Sequence, residues 1–199
     1  MAREDEVVDA GSCSDEGSDA ELLARSARGD RRAFDAIITR YGPMALRVAG
    51  RMALDRQSAE DIAQEAMVRI WQRAGEFDAC RARLSTWLYR IVINLCIDSR
   101  RRPQPLPLPQ GFDAVDPSPN AAETREVDER SGALARAIDE LPSRQRAALT
   151  LIYDEELSGA EAAQVLGVSA KAVERLLARA RARLRELLVA DGRQPEAGT

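Results

Sequence analysis

Basic and aromatic side chains alternate along residues 81–102, and this combination suits a nucleic acid better than a small molecule. Six arginines lie in the segment against a single acid, Asp98, and Trp87, Tyr89 and Asn94 lie among them. Guanidinium groups bind phosphates, and aromatic rings stack on unpaired bases. The segment therefore predicts a surface for single-stranded nucleic acid, although the leucines around Trp87 could equally place that ring in an apolar core.

An acidic stripe precedes this segment. Asp61, Gln64 and Glu65 are spaced i, i+3, i+4, which places them on one face of a helix. The other side of that helix is apolar and consists of Ile62, Ala66, Met67 and Ile70. On its own such a stripe is typical of a solvated helix face, but beside the basic segment the two features call for a joint explanation.

The C-terminal part of the chain has the pattern of a helix-turn-helix. A short helix is predicted over residues 158–166, and Gly167 can end it with a positive φ. Ser169 is placed to cap a second helix over residues 170–188. The small residue at the helix crossing and the apolar anchor of the second helix are Ala163 and Val173.

The second helix of this motif carries a basic face. Lys171, Arg175 and Arg179 are four residues apart and share one exposed side, which predicts contacts in the major groove of duplex DNA together with Ser169. The alternative is an ordinary amphipathic helical hairpin with a solvated basic face.

Charge is distributed in blocks that the total of −4 conceals. Residues 1–21 carry −7, residues 22–102 carry +7, residues 103–140 carry −5 and residues 141–199 carry +1. Such asymmetry favours a polyanionic partner.

Composition excludes several classes of function. The chain has no histidine, so catalytic triads and most zinc sites are ruled out. Its three cysteines, Cys13, Cys80 and Cys96, are far apart and form no metal-binding pair, which suits a reducing cytoplasm. No apolar run approaches the roughly 18 residues of a membrane span. We therefore expect a cytoplasmic binding protein with no enzymatic activity, metal, cofactor or small-molecule substrate.

Together, these features predict a chain of two all-α domains. The boundaries predicted from composition and periodicity are an acidic disordered extension over 1–17, a helical domain over 18–102, a flexible proline-rich acidic linker over 103–120, a helix-turn-helix domain over 121–190 and a disordered tail over 191–199.

Three local signals mark helix boundaries in the first domain. Ser18 begins an S-x-x-E capping box, and Ser58 is a candidate N-cap for the helix that carries the acidic stripe. Gly42 and Pro43 predict a break or kink in the helix that lies between these two helix starts.

Four motifs in this order resemble the extracytoplasmic-function (ECF) branch of the sigma-70 family of bacterial RNA polymerase sigma factors. The resemblance covers about residues 20–189 and is carried by the segments 59–65, 84–101, 141–146 and 158–184. It implies that the first domain corresponds to sigma region 2 and the second to sigma region 4.

The resemblance also assigns roles to residues. It implies that Asp61, Gln64 and Glu65 dock on the β′ coiled coil of core RNA polymerase, that the loop from Phe77 to Arg83 takes up a flipped base of the −10 element, and that the second domain contacts the β flap and reads the −35 element of promoter DNA. The −10 contacts would be Phe77, Arg83, Trp87, Arg90, Asn94, Arg100 and Arg101, and the −35 contacts would be Ser169, Lys171, Arg175 and Arg179.

Sigma factors of this branch are commonly held inactive by an anti-sigma factor, so the resemblance implies that partner too. Two other functions stay open from sequence: a stand-alone helix-turn-helix transcriptional regulator, and a sigma-like relative that regulates without initiating. The first would leave the acidic stripe and the basic segment at residues 81–102 without a role.

Overall fold

The computed structural model describes residues 13–53, 55–101 and 132–190, and within these ranges every regular element is a helix. The all-α class is therefore confirmed. The predicted linker over 103–120 and the tail over 191–199 lie outside the described residues.

Within the described residues, four helices form the N-terminal domain. They are α1 (Cys13–Ala27), α2 (Arg31–Met52), α3 (Arg56–Gln72) and α4 (Leu84–Arg101), and a single 3₁₀ turn, Ala74–Glu76, follows α3. The apolar residues predicted for the inner side of α3 are all buried.

Aspartates begin two of these helices, and one of them corrects a prediction. Asp30 caps α2 by accepting from the backbone N–H of Ala33 at 3.2 Å. The cap of α3 is Asp55 and not Ser58, because the Asp55 carboxylate accepts from both the N–H and the hydroxyl of Ser58 at 2.7 Å. Ser58 therefore lies inside the first turn, where a carboxylate three residues before it is the stronger acceptor for exposed N–H groups.

Two other boundaries differ from the predicted ones. Helix α1 begins at Cys13, so Ser18 lies within it and does not begin it, and residues 1–12 of the predicted extension lie outside the described residues. Adding a turn to an existing helix costs far less than nucleating one, so polar composition alone did not locate its start. Pro43 does not interrupt α2, which runs from Arg31 to Met52. Proline removes one backbone donor, and packing of α2 on α1, α3 and α4 maintains the helix across it.

The core of this domain lies between α2, α3 and α4. Ile37 and Val48 of α2, Ile70 of α3, and Leu88 and Val92 of α4 are fully buried. Each such side chain contributes about 1.5–3 kcal/mol of burial free energy, an upper estimate because unfolded chains are partly compact. Helix α4 is buried on most of its circumference, since the C-terminal domain covers a further side of it.

The C-terminal domain is also helical. Residues 132–139 form α5, and they are followed by α6 (Ser143–Leu149), one π-helical turn (Thr150–Asp154), α7 (Gly159–Leu166) and α8 (Ala170–Ala190). The chain turns back after the π-helical turn through Glu156, whose φ of 53° is left-handed.

Helices α7 and α8 form the predicted helix-turn-helix. A capping box between Ser158 and Glu161 begins α7, and Gly167 ends it in the left-handed region at φ 64°. The Ser169 hydroxyl caps α8 by accepting from the N–H of Ala172 at 3.2 Å. Ala163 and Val173 are both buried at the contact between the two helices, as the pattern predicts.

The two domains pack against each other. Helix α4 of the N-terminal domain contacts α6 and α7 of the C-terminal domain, and one continuous apolar cluster includes buried residues of both, such as Leu88 and Leu151. We call this arrangement the closed form. Among the described residues, no helix is both long and apolar enough to cross a membrane.

Candidate promoter and polymerase interfaces

An open cleft lies where the loop after the 3₁₀ turn meets the start of α4. The rings of Phe77 and Trp87 pack against each other on its wall, with centroids 5.5 Å apart and planes inclined by 31°. The cleft has a volume of about 440 Å³, which is in the size range of clefts that hold small organic groups. We call it the aromatic cleft; it is lined by Glu76, Phe77, Asp78, Arg81, Ala82, Thr86, Trp87, Arg90 and Gln164.

Local hydrogen bonds fix the loop that forms this cleft. The Asp78 side chain accepts from the N–H of Cys80 at 2.9 Å, and the Asp78 carbonyl accepts from the N–H of Arg81 at 3.1 Å. Such turns hold an exposed segment in place without a large apolar core. The loop therefore presents Phe77 and Arg81 to the cleft from one side, while α4 presents Trp87 and Arg90 from the other.

One face of α4 continues from the cleft. Arg90, Asn94 and Arg101 follow Trp87 at intervals of three, seven and fourteen residues, which places all four on one side of a helix of 3.6 residues per turn. The three polar side chains are exposed, and Trp87 is half-buried against Phe77. The two alternatives for Trp87 were a ring in the apolar core and a ring that stacks on nucleic acid. Both are partly met, because the ring packs on the core and also lines the cleft.

Arg100 departs from its predicted place on this face. It lies thirteen residues after Trp87, which turns it to the far side of α4. Its side chain is 13% exposed, and its Nε donates to the Met52 carbonyl at 3.1 Å. It also faces the C-terminal domain, where Nη2 lies 3.6 Å from the Asp139 carboxylate. In the closed form Arg100 is therefore unavailable to a strand that follows Arg90 and Asn94, and helical spacing could have indicated this.

The acidic stripe lies exposed on α3, as predicted. Asp61 accepts from the Gln57 amide at 3.0 Å, and Glu65 pairs with Arg69 at 2.8 Å. Both contacts are exposed pairs within one helix, and such pairs are worth a few tenths of a kcal/mol, so the carboxylates can exchange them for another partner. Val68, three residues after Glu65 and 41% exposed, extends the stripe with an apolar side chain that was not among the predicted docking residues.

The basic face of α8 is likewise exposed. Lys171, Arg175 and Arg179 lie on the outer side of the helix, opposite the buried Val173 and Leu177. The structure shows no ion pair between these three residues and any other described residue, so their charges are free to meet phosphates. We call them the reading face.

A buried ionic cluster that was not predicted from the sequence joins the domains. Glu155 follows the π-helical turn, and its side chain is only 1% exposed. Its carboxylate accepts from Arg47 Nε of α2 at 2.8 Å and from the Tyr89 hydroxyl of α4 at 2.7 Å. The partners lie 108 and 66 residues away along the chain, so no local pattern indicates the contact.

These contacts determine the charge state of the cluster. Burial raises the pKa of Glu155, but the hydrogen bonds from Arg47 and Tyr89 and the nearby charges of Arg47 and Arg51 outweigh it, and the pKa lies below its usual value. Burial and then the bond to Glu155 raise the pKa of Tyr89. Glu155 is therefore ionised and Tyr89 is protonated near neutral pH.

Cys80 and Cys96 are both free thiols. Cys80 is exposed on the loop of the aromatic cleft, and Cys96 is buried in α4, where burial raises its pKa to about 12. Among the described residues no group of three or more acids or cysteines could hold a metal ion.

Comparison with known proteins accounts for both domains. The family model described as Sigma-70 region 2 matches residues 37–104, and that described as Sigma-70, region 4 matches residues 131–184. The ECF RNA polymerase sigma factor SigM of Mycobacterium tuberculosis strain H37Rv is 40% identical over 173 residues, which cover 87% of this chain and 86% of that protein.

Solved structures support the same family assignment. A structure of CnrH in complex with the cytosolic domain of CnrY has a TM-score of 0.62 at 30% identity, covering 87% of this chain and 99% of that one. The sigma factor RpoE of Bartonella quintana, solved in complex with the anti-sigma factor NepR, has a TM-score of 0.55. The match covers 79% of this chain and 98% of that one. At 22% identity the second likeness shows the fold alone.

A region 2 domain followed by a region 4 domain on one chain defines a sigma factor, a transcription initiation factor of bacterial RNA polymerase. The chain belongs to the sigma-70 family, in its ECF branch. A stand-alone helix-turn-helix regulator is excluded, because that function leaves the region 2 match without a role.

Proposed function

We propose that this sigma factor gives core RNA polymerase its promoter specificity by dividing the work between two surfaces. The aromatic cleft and the exposed face of α4 bind the melted −10 element, and the reading face of α8 binds the −35 element. The observation that carries the proposal is the pairing, on one chain, of an aromatic cleft for an unpaired base with a basic helix-turn-helix for duplex DNA.

In the N-terminal domain, a base leaves the duplex and stacks in the aromatic cleft. Extruding a base costs a few kcal/mol, and stacking on an aromatic ring returns about 1–3 kcal/mol per base. Phe77 and Trp87 supply the rings. Arg83, Arg90, Asn94 and Arg101 bind the sugar–phosphate backbone of the strand, whereas Arg100, on the far side of α4, bonds to the Met52 carbonyl.

In the C-terminal domain, α8 enters the major groove at the −35 element. Lys171, Arg175 and Arg179 bind bases and phosphates there, and Ser169 at the helix N-terminus lies next to a phosphate, where backbone N–H groups favour an anion. The capped turn at Gly167 fixes the angle between α7 and α8, so the reading face has one orientation.

Two further surfaces bind the polymerase. Asp61, Gln64 and Glu65, with Val68 beside them, dock on the β′ coiled coil through an acidic rim and an apolar contact. The early helices of the C-terminal domain contact the β flap. Since the polymerase and the chromosome share one compartment, we place this chain in the cytoplasm.

An anti-sigma factor is the proposed regulator. CnrH, which is 30% identical to this chain over 87% of its length, was solved in complex with the cytosolic domain of CnrY. By analogy, a partner that covers the aromatic cleft or the acidic stripe would keep this sigma factor from the polymerase.

Transcription from genomic DNA fragments with purified core polymerase, with and without this chain, tests the function. RNA 5′ ends are sequenced in both reactions. We expect discrete new start sites that share sequences near −10 and −35. If the chain binds core polymerase but no new starts appear, it is a co-opted regulator and the proposal is wrong.

A further inference from the structure

The aromatic cleft is open to solvent in the closed form, although both domains contribute to its wall. Its volume of about 440 Å³ lies within the range of about 300–1,000 Å³ that is usual for small-molecule sites. Phe77 and Trp87 belong to the N-terminal domain, and Gln164 of α7 belongs to the C-terminal domain. The closed form therefore has an accessible concave site that neither domain forms alone.

One wall of the cleft is aromatic. The rings of Phe77 and Trp87 have centroids 5.5 Å apart and planes inclined by 31°, so together they form a tilted aromatic surface. Both side chains are half-buried, and both line the cleft. Nucleobases stack on such surfaces, because every base has a flat π-face. A single nucleobase is therefore a ligand group that this wall can hold.

Two guanidinium groups beside the rings are free to bind an anion. Arg81 and Arg90 line the cleft and are exposed, and neither side chain has a hydrogen bond or ion pair with another described residue. The acids of the cleft already have partners: Glu76 lies 3.3 Å from Arg73, and the Asp78 carboxylate accepts from a backbone N–H of its own loop at 2.9 Å. The unpaired charge of the cleft is thus positive, which favours a phosphate next to the stacked ring.

Gln164 supplies a group that can distinguish one base from another. It is exposed near the end of α7, and its amide has no hydrogen bond to another described residue. An amide both donates and accepts, and adenine presents its N6 amino donor beside the N7 acceptor, so the two can form a pair of bonds. Guanine presents two acceptors on the same edge and satisfies only half of the amide. Adenine is therefore the base that Gln164 favours.

Gln164 reaches the cleft only while the two domains are packed together. In the closed form α4 and α7 are in direct contact. On a promoter the two domains would bind elements about 25 base pairs apart, which is about 85 Å of duplex at roughly 3.4 Å per base pair. The site that includes Gln164 therefore belongs to the free protein and not to the promoter complex.

We propose that the free sigma factor binds an adenine mononucleotide in the aromatic cleft. The base stacks on Phe77 and Trp87, and its amino edge pairs with the Gln164 amide. The phosphate lies against Arg81 and Arg90. The inference rests on the base-stacking role proposed above for the cleft, and it adds a small-molecule ligand that occupies the same rings when no promoter is bound.

Calorimetric titration of the full-length chain, without polymerase or DNA, tests the ligand. The probes are adenosine monophosphate (AMP), guanosine monophosphate (GMP), adenosine and inorganic phosphate. We expect AMP to bind at one site per chain, GMP and adenosine to bind about fivefold or more weakly, and phosphate alone to give no measurable binding. GMP lacks the amino edge for the amide, and adenosine lacks the phosphate for the arginines, so each comparison isolates one contact.

A glutamine variant tests the base contact. Gln164→Ala should weaken AMP binding about fivefold or more and leave GMP binding within twofold, because only adenine uses both halves of the amide. The matched control is Gln72→Ala, which removes an exposed glutamine at the end of α3, outside the cleft, and should bind AMP as the wild type does. Both positions are exposed, and circular dichroism checks that both variants are folded.

Tryptophan fluorescence locates the ligand. The chain has two tryptophans, Trp71 and Trp87, and only Trp87 lines the cleft. AMP should quench the fluorescence of the wild type. In Trp87→Phe the quenching should disappear, since Trp71 is then the only tryptophan, while calorimetry still detects AMP because a ring remains in the wall.

Three results would overturn the proposal. They are no AMP binding at millimolar concentration, AMP binding that Gln164→Ala leaves unchanged, and AMP binding without quenching of Trp87. Neither polymerase nor promoter enters these measurements, so start-site mapping remains an independent test, and failure of this inference is distinguishable from failure of the proposed function.

Discussion

Arg47 and Glu155, separated by 108 residues, form a two-pronged ion pair that closes one domain on the other. The pair is asymmetric, since the Arg47 side chain is 52% exposed and that of Glu155 is 1% exposed. Removing the arginine leaves a buried carboxylate without its main partner, whereas removing the carboxylate leaves an arginine that can turn to solvent. The free energy of the contact therefore depends mainly on the charge of Glu155.

That charge makes the contact pH-dependent. The pKa of Glu155 is lowered in the folded chain by Arg47 and Arg51 of α2 and Tyr89 of α4, against the effect of burial. A lowered pKa stabilises the folded chain above the ordinary glutamate value of 4.5, and this stabilisation is lost as the pH falls through the folded-state pKa.

We predict that Glu155→Gln lowers the free energy of unfolding by about 1–3 kcal/mol at pH 7, the range for a hydrogen bond to a charged group. The difference from wild type should shrink as the pH falls below 4.5. Urea unfolding followed by circular dichroism at several pH values measures it, with Glu156→Gln as the control. A difference that stays constant down to pH 3.5 would contradict the assignment of the charge to Glu155.

Polymerase docking is tested on α3. Because Asp61 and Glu65 supply the acidic rim, we predict that the double variant Asp61→Ala, Glu65→Ala weakens binding to core polymerase by roughly tenfold or more. Fluorescence anisotropy of the labelled chain with core polymerase measures the affinity. The control is Asp35→Ala, which removes an exposed acid from α2. Equal affinities for the double variant and the control would show that the stripe is only a solvated helix face.

Base capture is tested in the aromatic cleft. Trp87→Ala removes a ring that packs on Phe77, and we predict about 5- to 150-fold weaker open-complex formation, from about 1–3 kcal/mol of stacking on one base. Trp87→Phe should recover most of the loss because a ring remains. Binding of the Trp87→Ala variant to core polymerase should be unchanged, and if it falls as much as promoter opening does, Trp87 acts through the core of the domain.

Duplex recognition is tested by salt dependence on α8. If Arg175 contacts a phosphate, Arg175→Ala should reduce the slope of log affinity against log salt by about 0.9. The measurement is a salt titration of binding to duplex promoter DNA. Arg183→Ala serves as the control, because Arg183 pairs with Glu186 on the same helix. An unchanged slope with lower affinity would assign Arg175 to a base edge.

Local patterns predicted the parts of this molecule that local chemistry determines. The turn at Gly167, the cap at Ser169 and the buried side of α3 follow from spacing and residue type, and all three are present. Helical spacing alone could also have shown that Arg100 does not lie on the exposed face of α4. The cap of α3 was misassigned because Ser58 and Asp55 are both good caps, and only the geometry shows which of them accepts.

The contacts between domains could not be predicted in this way. Glu155 meets Arg47 and Tyr89 only because α2, α4 and the π-helical turn come together in space. Gln164 was an ordinary polar residue in the sequence, and its place beside Phe77 depends on the packing of α7 on α4.

The aromatic cleft beside a basic helix-turn-helix predicts that this chain directs promoter melting and not only DNA binding. Potassium permanganate, which oxidises unpaired thymines, measures this directly on a promoter found by start-site mapping. With core polymerase and this chain, we predict reactive thymines around −10 that are absent with core polymerase alone and reduced with Trp87→Ala. A stable complex of polymerase, chain and promoter in which those thymines remain unreactive would show that the chain binds the promoter without melting it.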